Sequence, residues 1–167
     1  MNYSKAIYMS KGILYYTDNR LQEPIFSIVQ KHISSPGLPI VSVSLKPIIF
    51  GKNIVLPLSP NIVTMIKQII KGLEESRADY VFFCEHDVLY PLSHFDFMPR
   101  KDDVWYYNEN VMRWKYQDAI VITYDRLISL SSLCVNRKYA LDHYEQRMRK
   151  IKEMGWEKNM SREPLWA

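Results

Sequence analysis

Three short apolar segments alternate with two segments of helical periodicity, and this alternation constrains the possible fold more than any other feature of the sequence. Residues 13–16, 40–44 and 80–84 are apolar apart from two serines, which predicts buried strands. Residues 25–33 and 62–73 place isoleucine, valine or leucine at helical spacing, which predicts two amphipathic helices. The order strand, helix, strand, helix, strand predicts an α/β fold with a mostly parallel sheet flanked by helices.

Turn-forming residues predict where several elements end. Prolines and a glycine between positions 45 and 58 predict a loop. Ser59 and Pro60 then predict the N-cap and the first position of the second helix. Beyond the third strand, residues 103–107 and 119–123 are predicted to form two further strands.

Length and composition predict a single domain spanning residues 1–167, with residues 1–11 loosely held. Hydrophobic residues make up 47% and charged residues 24%, as in globular proteins. No apolar run reaches about 18 residues, so we expect no transmembrane segment. The cations behind the net charge of +4 gather late, in a predicted last helix over residues 136–154. Because no recognised motif accompanies them, we expect no nucleic acid partner.

The two cysteines, Cys84 and Cys134, both lie in apolar segments. Buried free thiols are typical of a reducing compartment. The first residues show neither the apolar region nor the cleavage site of a secretory signal. We therefore expect a cytoplasmic protein with two unpaired thiols.

Polar residues follow each of the three predicted strands. These groups are residues 17–20, 44–46 and 85–87. Right-handed crossovers bring the carboxyl ends of parallel strands to one edge of the sheet, where open α/β sheets bind ligands. The sequence therefore predicts one ligand site built from all three groups.

Glu85 and Asp87 are the residues of this site with the most specific chemistry. In an extended segment, residues two positions apart point the same way, so both carboxylates are expected to aim at one point while His86 faces away. Adjacent carboxylates repel each other unless a cation lies between them, and oxygen ligands suit Mg²⁺ or Mn²⁺. The alternative is that both acids are solvated loop residues or helix caps.

Residues 80–90, Tyr-Val-Phe-Phe-Cys-Glu-His-Asp-Val-Leu-Tyr, resemble the strand and metal motif of GT-A glycosyltransferases, in the Glu-x-Asp form of the Asp-x-Asp motif. Residues 13–20 resemble the first strand of family-2-type transferases. Residues 131–138 are similar to that family's later segment, in which a small-residue turn leads into a helix. The resemblance covers about residues 12–155 and implies a GT-A-type, Rossmann-like fold.

The resemblance also implies an activity. It is metal-dependent transfer of a sugar from a UDP- or GDP-linked donor to a hydroxyl acceptor such as a glycan. Asp87 would bind Mn²⁺ or Mg²⁺ directly and serve catalysis, with Glu85 helping directly or through water. The residues implied to hold the base and ribose of the nucleotide are Thr17, Asp18, Asn19 and Arg20.

The sequence departs from the family pattern in two places. The family's second strand usually ends in an Asp that contacts the base, whereas residues 42–46 contain no acid. Lys46 either meets a phosphate there or is a solvated surface lysine. An inverting enzyme also needs a carboxylate that deprotonates the acceptor hydroxyl. No motif marks that carboxylate, and we favour Asp125 over Asp142 and Glu145.

Three further features have two interpretations each. His143 is either a late metal ligand, as in some GT-A enzymes, or a helix-surface histidine, which we favour. The aromatic residues Trp105, Tyr106, Tyr107 and Trp114 form an acceptor platform or, as aromatic strands more often do, part of the core. The chain is shorter than common GT-A domains, which indicates either a minimal form or a missing C-terminal segment.

Two other functions compete with sugar transfer. A scaffold protein that keeps the fold but has lost turnover is favoured by the missing acid and by the unlocated base. A nucleotidyltransferase would need a glycine-rich phosphate loop after the first strand. Residues 17–23 contain no glycine, which counts against it.

Overall fold

The computed structural model describes residues 9–123 and 128–156, and it has the mixed α/β architecture that the sequence predicts. A six-stranded sheet has helices on both faces, and a two-stranded hairpin is separate from it. The strands are β1 (Lys11–Thr17), β2 (Ile40–Ser44), β3 (Lys52–Val55), β4 (Tyr80–Glu85), β5 (Tyr106–Tyr107), β6 (Met112–Lys115), β7 (Ile120–Thr123) and β8 (Leu133–Asn136). The helices are α1 (Ile25–Ser34), α2 (Ile62–Glu75), α3 (Leu92–Asp96) and α4 (Arg137–Met154). None of these helices is long and apolar enough to cross a membrane.

The sheet has the strand order β3-β2-β1-β4-β8-β5. Strands β1 to β4 are parallel, and β8 is antiparallel to both of its neighbours. The strand order reverses between β1 and β4, because β2 lies on one side of β1 and β4 on the other. The register places Thr17 opposite Ser44 and Tyr16 opposite Glu85. The carboxyl ends of β1, β2 and β4 therefore share one edge at a topological switch point, where open α/β sheets bind ligands.

Alternate side chains of β1 fill two cores, one on each face of the sheet. Leu14 and Tyr16 pack on the face covered by α2 and α4, whereas Ile13 and Tyr15 pack on the face covered by α1 and α3. Burying one large apolar side chain stabilises a fold by about 1.5–3 kcal/mol, so each face contributes strongly. The buried helix residues that complete the first core are Ile66, Ile69, Leu73, Ala140, Tyr144, Met148 and Ile151.

Helix α2 begins two residues later than the sequence predicts. Asn61, not Ser59, is its N-cap, and the Asn61 side chain accepts a hydrogen bond of 2.9 Å from the backbone N–H of Thr64. Pro60 accordingly precedes the helix instead of occupying its first position. Asparagine is as good an N-cap as serine, so the cap preference alone does not distinguish Ser59 from Asn61.

The second half of the chain follows the predicted elements less closely. Strand β5 contains only the last two residues of the predicted strand 103–107, and β7 pairs with β6 in the hairpin instead of joining the main sheet. Strand β3 lies in the predicted loop, and β8 lies where a small-residue turn was expected to lead into the last helix, so both strands are corrections. Each is four residues long, which is too short for a period of two to stand out. The last helix itself is confirmed, because α4 begins at Arg137.

Candidate functional site

The three polar groups do meet at the carboxyl edge of β1, β2 and β4. Residues 17–20, 44–46 and 85–87 each end or follow one of these parallel strands. Contacts join all three groups, because Asn19 binds the backbone after β2 and Asp18 approaches His86 after β4. The fold therefore assembles one polar site at the switch point.

Glu85 is the more buried acid of this site. The Tyr16 hydroxyl donates a hydrogen bond of 2.6 Å to Oε1 of Glu85, and the backbone N–H of Glu85 donates one of 3.0 Å to the Tyr90 hydroxyl. Burial raises the pKa of Glu85, the hydrogen bond from Tyr16 opposes the rise, and the negative charge of Asp87 adds to it. Two tyrosines thus fix Glu85, and its charge interacts with that of Asp87 two residues further along the chain.

Asp87 is exposed and makes no hydrogen bond or ion pair with any described residue. Its charge acts on Glu85 and on the buried Tyr15. An unpaired carboxylate beside a second one is a donor set that suits a hard divalent cation. Within residues 9–123 and 128–156, no three His, Cys, Asp or Glu side chains form a metal-binding group. An ion held by these two acids would take its other ligands from phosphate oxygens and water.

Asp18 connects the loop after β1 with the turn after β4. Its carboxylate accepts hydrogen bonds from the backbone N–H of Arg20 at 3.0 Å and from Nε of Arg20 at 2.6 Å. Its Oδ1 lies 3.8 Å from Nε2 of His86. Burial of the carboxylate acts to raise the pKa of Asp18. The hydrogen bonds from Arg20 and the nearby His86 together outweigh burial, so the pKa of Asp18 is lowered. His86 is therefore directed toward Asp18 of the same site, and the expectation that it faces away is wrong.

Asn19 fastens the loop after β1 to the loop after β2. Its Oδ1 accepts hydrogen bonds from the backbone N–H groups of Leu45 at 2.8 Å and Lys46 at 2.9 Å. Its own N–H donates to Oγ1 of the buried Thr17 at 3.0 Å, and its backbone has a left-handed φ of 61°. Asparagine tolerates this conformation better than most residues. The structure thus uses Thr17 and Asn19 to shape the edge, and their contact with a nucleotide stays a prediction.

Gln68 on α2 supports the same edge, and it is not among the site residues predicted from the sequence. Its Nε2 donates hydrogen bonds of 2.9 Å to the carbonyl of Thr17 and 3.1 Å to the carbonyl of Val43. Gln68 is buried within the apolar face of the helix. A polar residue on that face was the available signal, because a buried amide needs partners.

The end of β2 turns its polar side chains inward. Oγ of Ser42 donates to the carbonyl of Phe50 at 2.6 Å, and Nδ2 of Asn53 donates to Oγ of Ser42 at 3.0 Å and to Oγ of Ser44 at 2.9 Å. The polar side chains at the end of β2 therefore hydrogen-bond within the sheet region. Lys46, just beyond them, is a charged residue exposed at the edge.

The structure places two of the three candidate bases on α4 and buries the histidine between them. Asp125 lies outside the described residues, while Asp142 is exposed and Glu145 half-buried on α4. The prediction of a helix-surface histidine at position 143 is wrong, because His143 is 7% exposed and its ring centroid lies 4.9 Å from that of Trp105. Burial lowers the pKa of His143 to about 4, and the neighbouring cations of α4 add to this.

The aromatic residues after the acidic motif divide between the core and a cavity. Trp105 packs against Tyr144 on α4 and is part of the core. Trp114 lies in the hairpin and is 55% exposed. Tyr106 and Tyr107 line a cavity of about 470 Å³ on the side of β5 and β8.

Comparison with known protein families and with curated proteins identified no similar protein. No family model matches the chain, and no curated protein is significantly similar to it.

Proposed function

We propose that this protein is a metal-dependent glycosyltransferase of the GT-A type, which transfers a sugar from a nucleotide-diphosphate donor to a hydroxyl acceptor. One observation carries the proposal: His86, between Glu85 at the end of β4 and Asp87, lies 3.8 Å from Asp18 in the loop after β1, so the two groups meet across the switch point. This is the place at which an open α/β sheet binds a nucleotide.

The chemistry of the acids fits Mn²⁺ or Mg²⁺. Asp87, exposed and unpaired among the described residues, would hold the ion, and Glu85 would assist from its position beside Tyr16. A bound ion supplies neutralisation of the charge on the leaving diphosphate. Glu85 is positioned before any ion arrives, so little reorganisation accompanies binding.

The cations at the edge suit the diphosphate of the donor. The side chain of Arg20 is 71% exposed although its Nε binds Asp18, and Lys46 is exposed on the neighbouring loop. A guanidinium can bind two phosphate oxygens at once, and an ammonium acts as a point charge. We assign these residues to the donor phosphates, and we keep Asp125 as the proposed base for the acceptor hydroxyl.

A nucleotide-sugar-binding scaffold of the same fold is the second candidate. It is favoured by the inward-facing polar side chains at the end of β2, which leave no acid there to contact the base. Either protein would work in a reducing compartment such as the cytoplasm, which agrees with the buried and unpaired Cys84 and Cys134.

Thermal unfolding with UDP or GDP, each with and without Mn²⁺, tests the proposal. We expect stabilisation only when nucleotide and metal are both present, because a ligand that binds the folded state raises the Tm. Asp87→Asn should abolish that stabilisation, whereas Asp96→Asn, at an exposed acid on α3, should retain it. Full Mn²⁺-dependent stabilisation of Asp87→Asn would contradict the site. Nucleotide diphosphate released from UDP- or GDP-sugars separates the transferase from the scaffold, which binds without release.

A further inference from the structure

A cavity is present outside the acidic edge. It has a volume of about 470 Å³ and lies between α3, β8 and the segment that follows β5. None of the described residues that line it belongs to the groups 17–20, 44–46 or 85–87. Its volume falls within the range of about 300–1,000 Å³ that small-molecule sites occupy.

Aromatic rings form one part of the cavity lining. Phe97 and Tyr106 contact each other with ring centroids 5.1 Å apart, and Phe82 lies beneath the cavity. The Tyr106 hydroxyl accepts hydrogen bonds from the backbone N–H groups of Arg100 and Lys101, at 3.2 and 2.9 Å. These bonds fix the orientation of the ring, and a fixed aromatic face is a surface on which a flat ligand ring can pack.

Two side chains in the lining have fixed hydrogen-bonding roles. Oδ1 of Asn108 accepts a hydrogen bond of 3.0 Å from the N–H of Asn110, so Nδ2 of Asn108 must face Nδ1 of His94, at 3.3 Å. Nδ1 of His94 is then the acceptor. Burial lowers the pKa of His94 to about 4, so the imidazole is neutral near pH 7 and carries its proton on Nε2. The amide and the imidazole are therefore ordered and uncharged, and Nε2 of His94 is buried without a hydrogen-bond partner among the described residues.

The charge of the lining selects the class of ligand. Glu109 is the only charged residue among the described residues that line the cavity, and none of them is Lys or Arg. The ammonium of Lys11 lies close to the lining residues Phe82 and Phe97, but it donates hydrogen bonds to the backbone carbonyls of Phe95 and Phe97. A phosphate would therefore find no cation within the lining and would be repelled by Glu109. The groups that can exchange hydrogen bonds with the hydroxyls of a neutral ligand are Ser93, Asn108, Glu109, Asn110 and Ser132.

We propose that this cavity binds the neutral pyranose ring of a saccharide, with the ring face on Phe97 and Tyr106 and its hydroxyls on the amide, carboxylate and serine groups. Aromatic faces combined with a few fixed polar groups give orientation and specificity in such sites. This binding rests on the cavity lining alone. It requires neither nucleotide nor metal, and it holds whether or not the acidic edge transfers a sugar.

Saturation-transfer difference NMR on the full chain, without nucleotide or metal, tests the proposal. The probes are methyl β-D-glucopyranoside, methyl β-D-galactopyranoside and N-acetylglucosamine. We expect saturation transfer to the ring protons of at least one probe. Ser93→Phe adds a ring to the cavity lining and should weaken binding by about tenfold or more, because the ring occupies volume that the ligand needs. Leu92→Phe is the matched control on α3: it is exposed, lies outside the lining, and should bind as the wild type does.

An anionic sugar tests the charge argument separately. Glucuronate should bind more weakly than methyl β-D-glucopyranoside, and Glu109→Gln should narrow that difference because it removes the repelling charge. The proposal is overturned if none of the three neutral probes shows transfer, if Ser93→Phe and Leu92→Phe bind alike, or if glucuronate binds the wild type as tightly as the neutral glucoside. Nucleotide binding at Asp87 is measured independently, so failure here leaves that result standing.

Discussion

The hydroxyl of Tyr16 donates a 2.6 Å hydrogen bond to the carboxylate of Glu85 across the switch point between β1 and β4. The two residues are register partners in these parallel strands, so their contact follows directly from the pairing of the sheet. Burial raises the pKa of both groups, which makes this hydrogen bond the main polar compensation for placing the acid there. The position of Glu85 is therefore a property of the folded sheet.

Tyr16→Phe should lower the free energy of unfolding by about 1–2 kcal/mol, because it leaves a buried carboxylate without its donor. The measurement is urea denaturation of the wild type and the variant. In a Glu85→Gln background, the same Tyr16 substitution should cost less, since a neutral amide needs the donor less than a carboxylate does. Equal losses in both backgrounds would show that the charge of Glu85 does not account for the effect of the hydroxyl.

Substitutions of Asn19 should separate its hydrogen bonds from its backbone conformation. Asn19→Ala loses both bonds to the loop after β2 and places alanine at a φ of 61°, so we expect a loss of about 1–3 kcal/mol. Asn19→Gly also loses both hydrogen bonds, but glycine adopts this φ without a penalty. Asn19→Asp keeps an acceptor for both N–H groups. The expected order of stability in urea denaturation is Asp, then Gly, then Ala. An alanine variant as stable as the aspartate variant would contradict the role of Oδ1.

The sequence predicts where the site lies better than it predicts the buried residues that hold the site in place. Residues 17–20 and 85–87 could be placed at one edge because apolar runs mark the strands and parallel strands end together. The contacts of Gln68 could not be predicted, because its partners lie 51 and 25 residues away and their approach depends on helix packing. The burial of His143 likewise depends on Trp105, which a helix pattern alone does not place.

Gly72→Ala should destabilise the protein, although the same change in an ordinary helix stabilises it by about 1 kcal/mol. A Cβ at position 72 would lie 2.0 Å from Cδ1 of Leu14 and 3.3 Å from Cγ2 of Val43, where α2 packs on the sheet. We expect a loss of about 1–3 kcal/mol in denaturant unfolding. In a Leu14→Ala background the obstruction is gone, and the same substitution should become neutral or stabilising. A loss of equal size in that background would exclude the close approach as the cause.

The stability of the fold should fall as the pH drops below 6.5, in part because of two buried histidines. Burial lowers the pKa of His94 and of His143 from 6.5 to about 4. Between these two pH values the unfolded chain binds protons that the folded chain does not, so acidification favours unfolding. The loss of stability that the histidines cause is complete near pH 4. Each histidine adds a slope of at most about 1.4 kcal/mol per pH unit in this window.

His94→Phe tests this assignment, because phenylalanine keeps a ring among Phe82, Tyr90 and Phe95 but cannot be protonated. The measurement is urea denaturation at a series of pH values across the window between about 4 and 6.5. Taking the difference between wild type and variant in the same buffers cancels the carboxylates, which also titrate as the pH falls. The variant should lose up to about 1.4 kcal/mol per pH unit of the wild-type slope. Identical slopes for the two proteins would mean that His94 binds its proton as readily in the folded state as in the unfolded state, contrary to the effect of its burial.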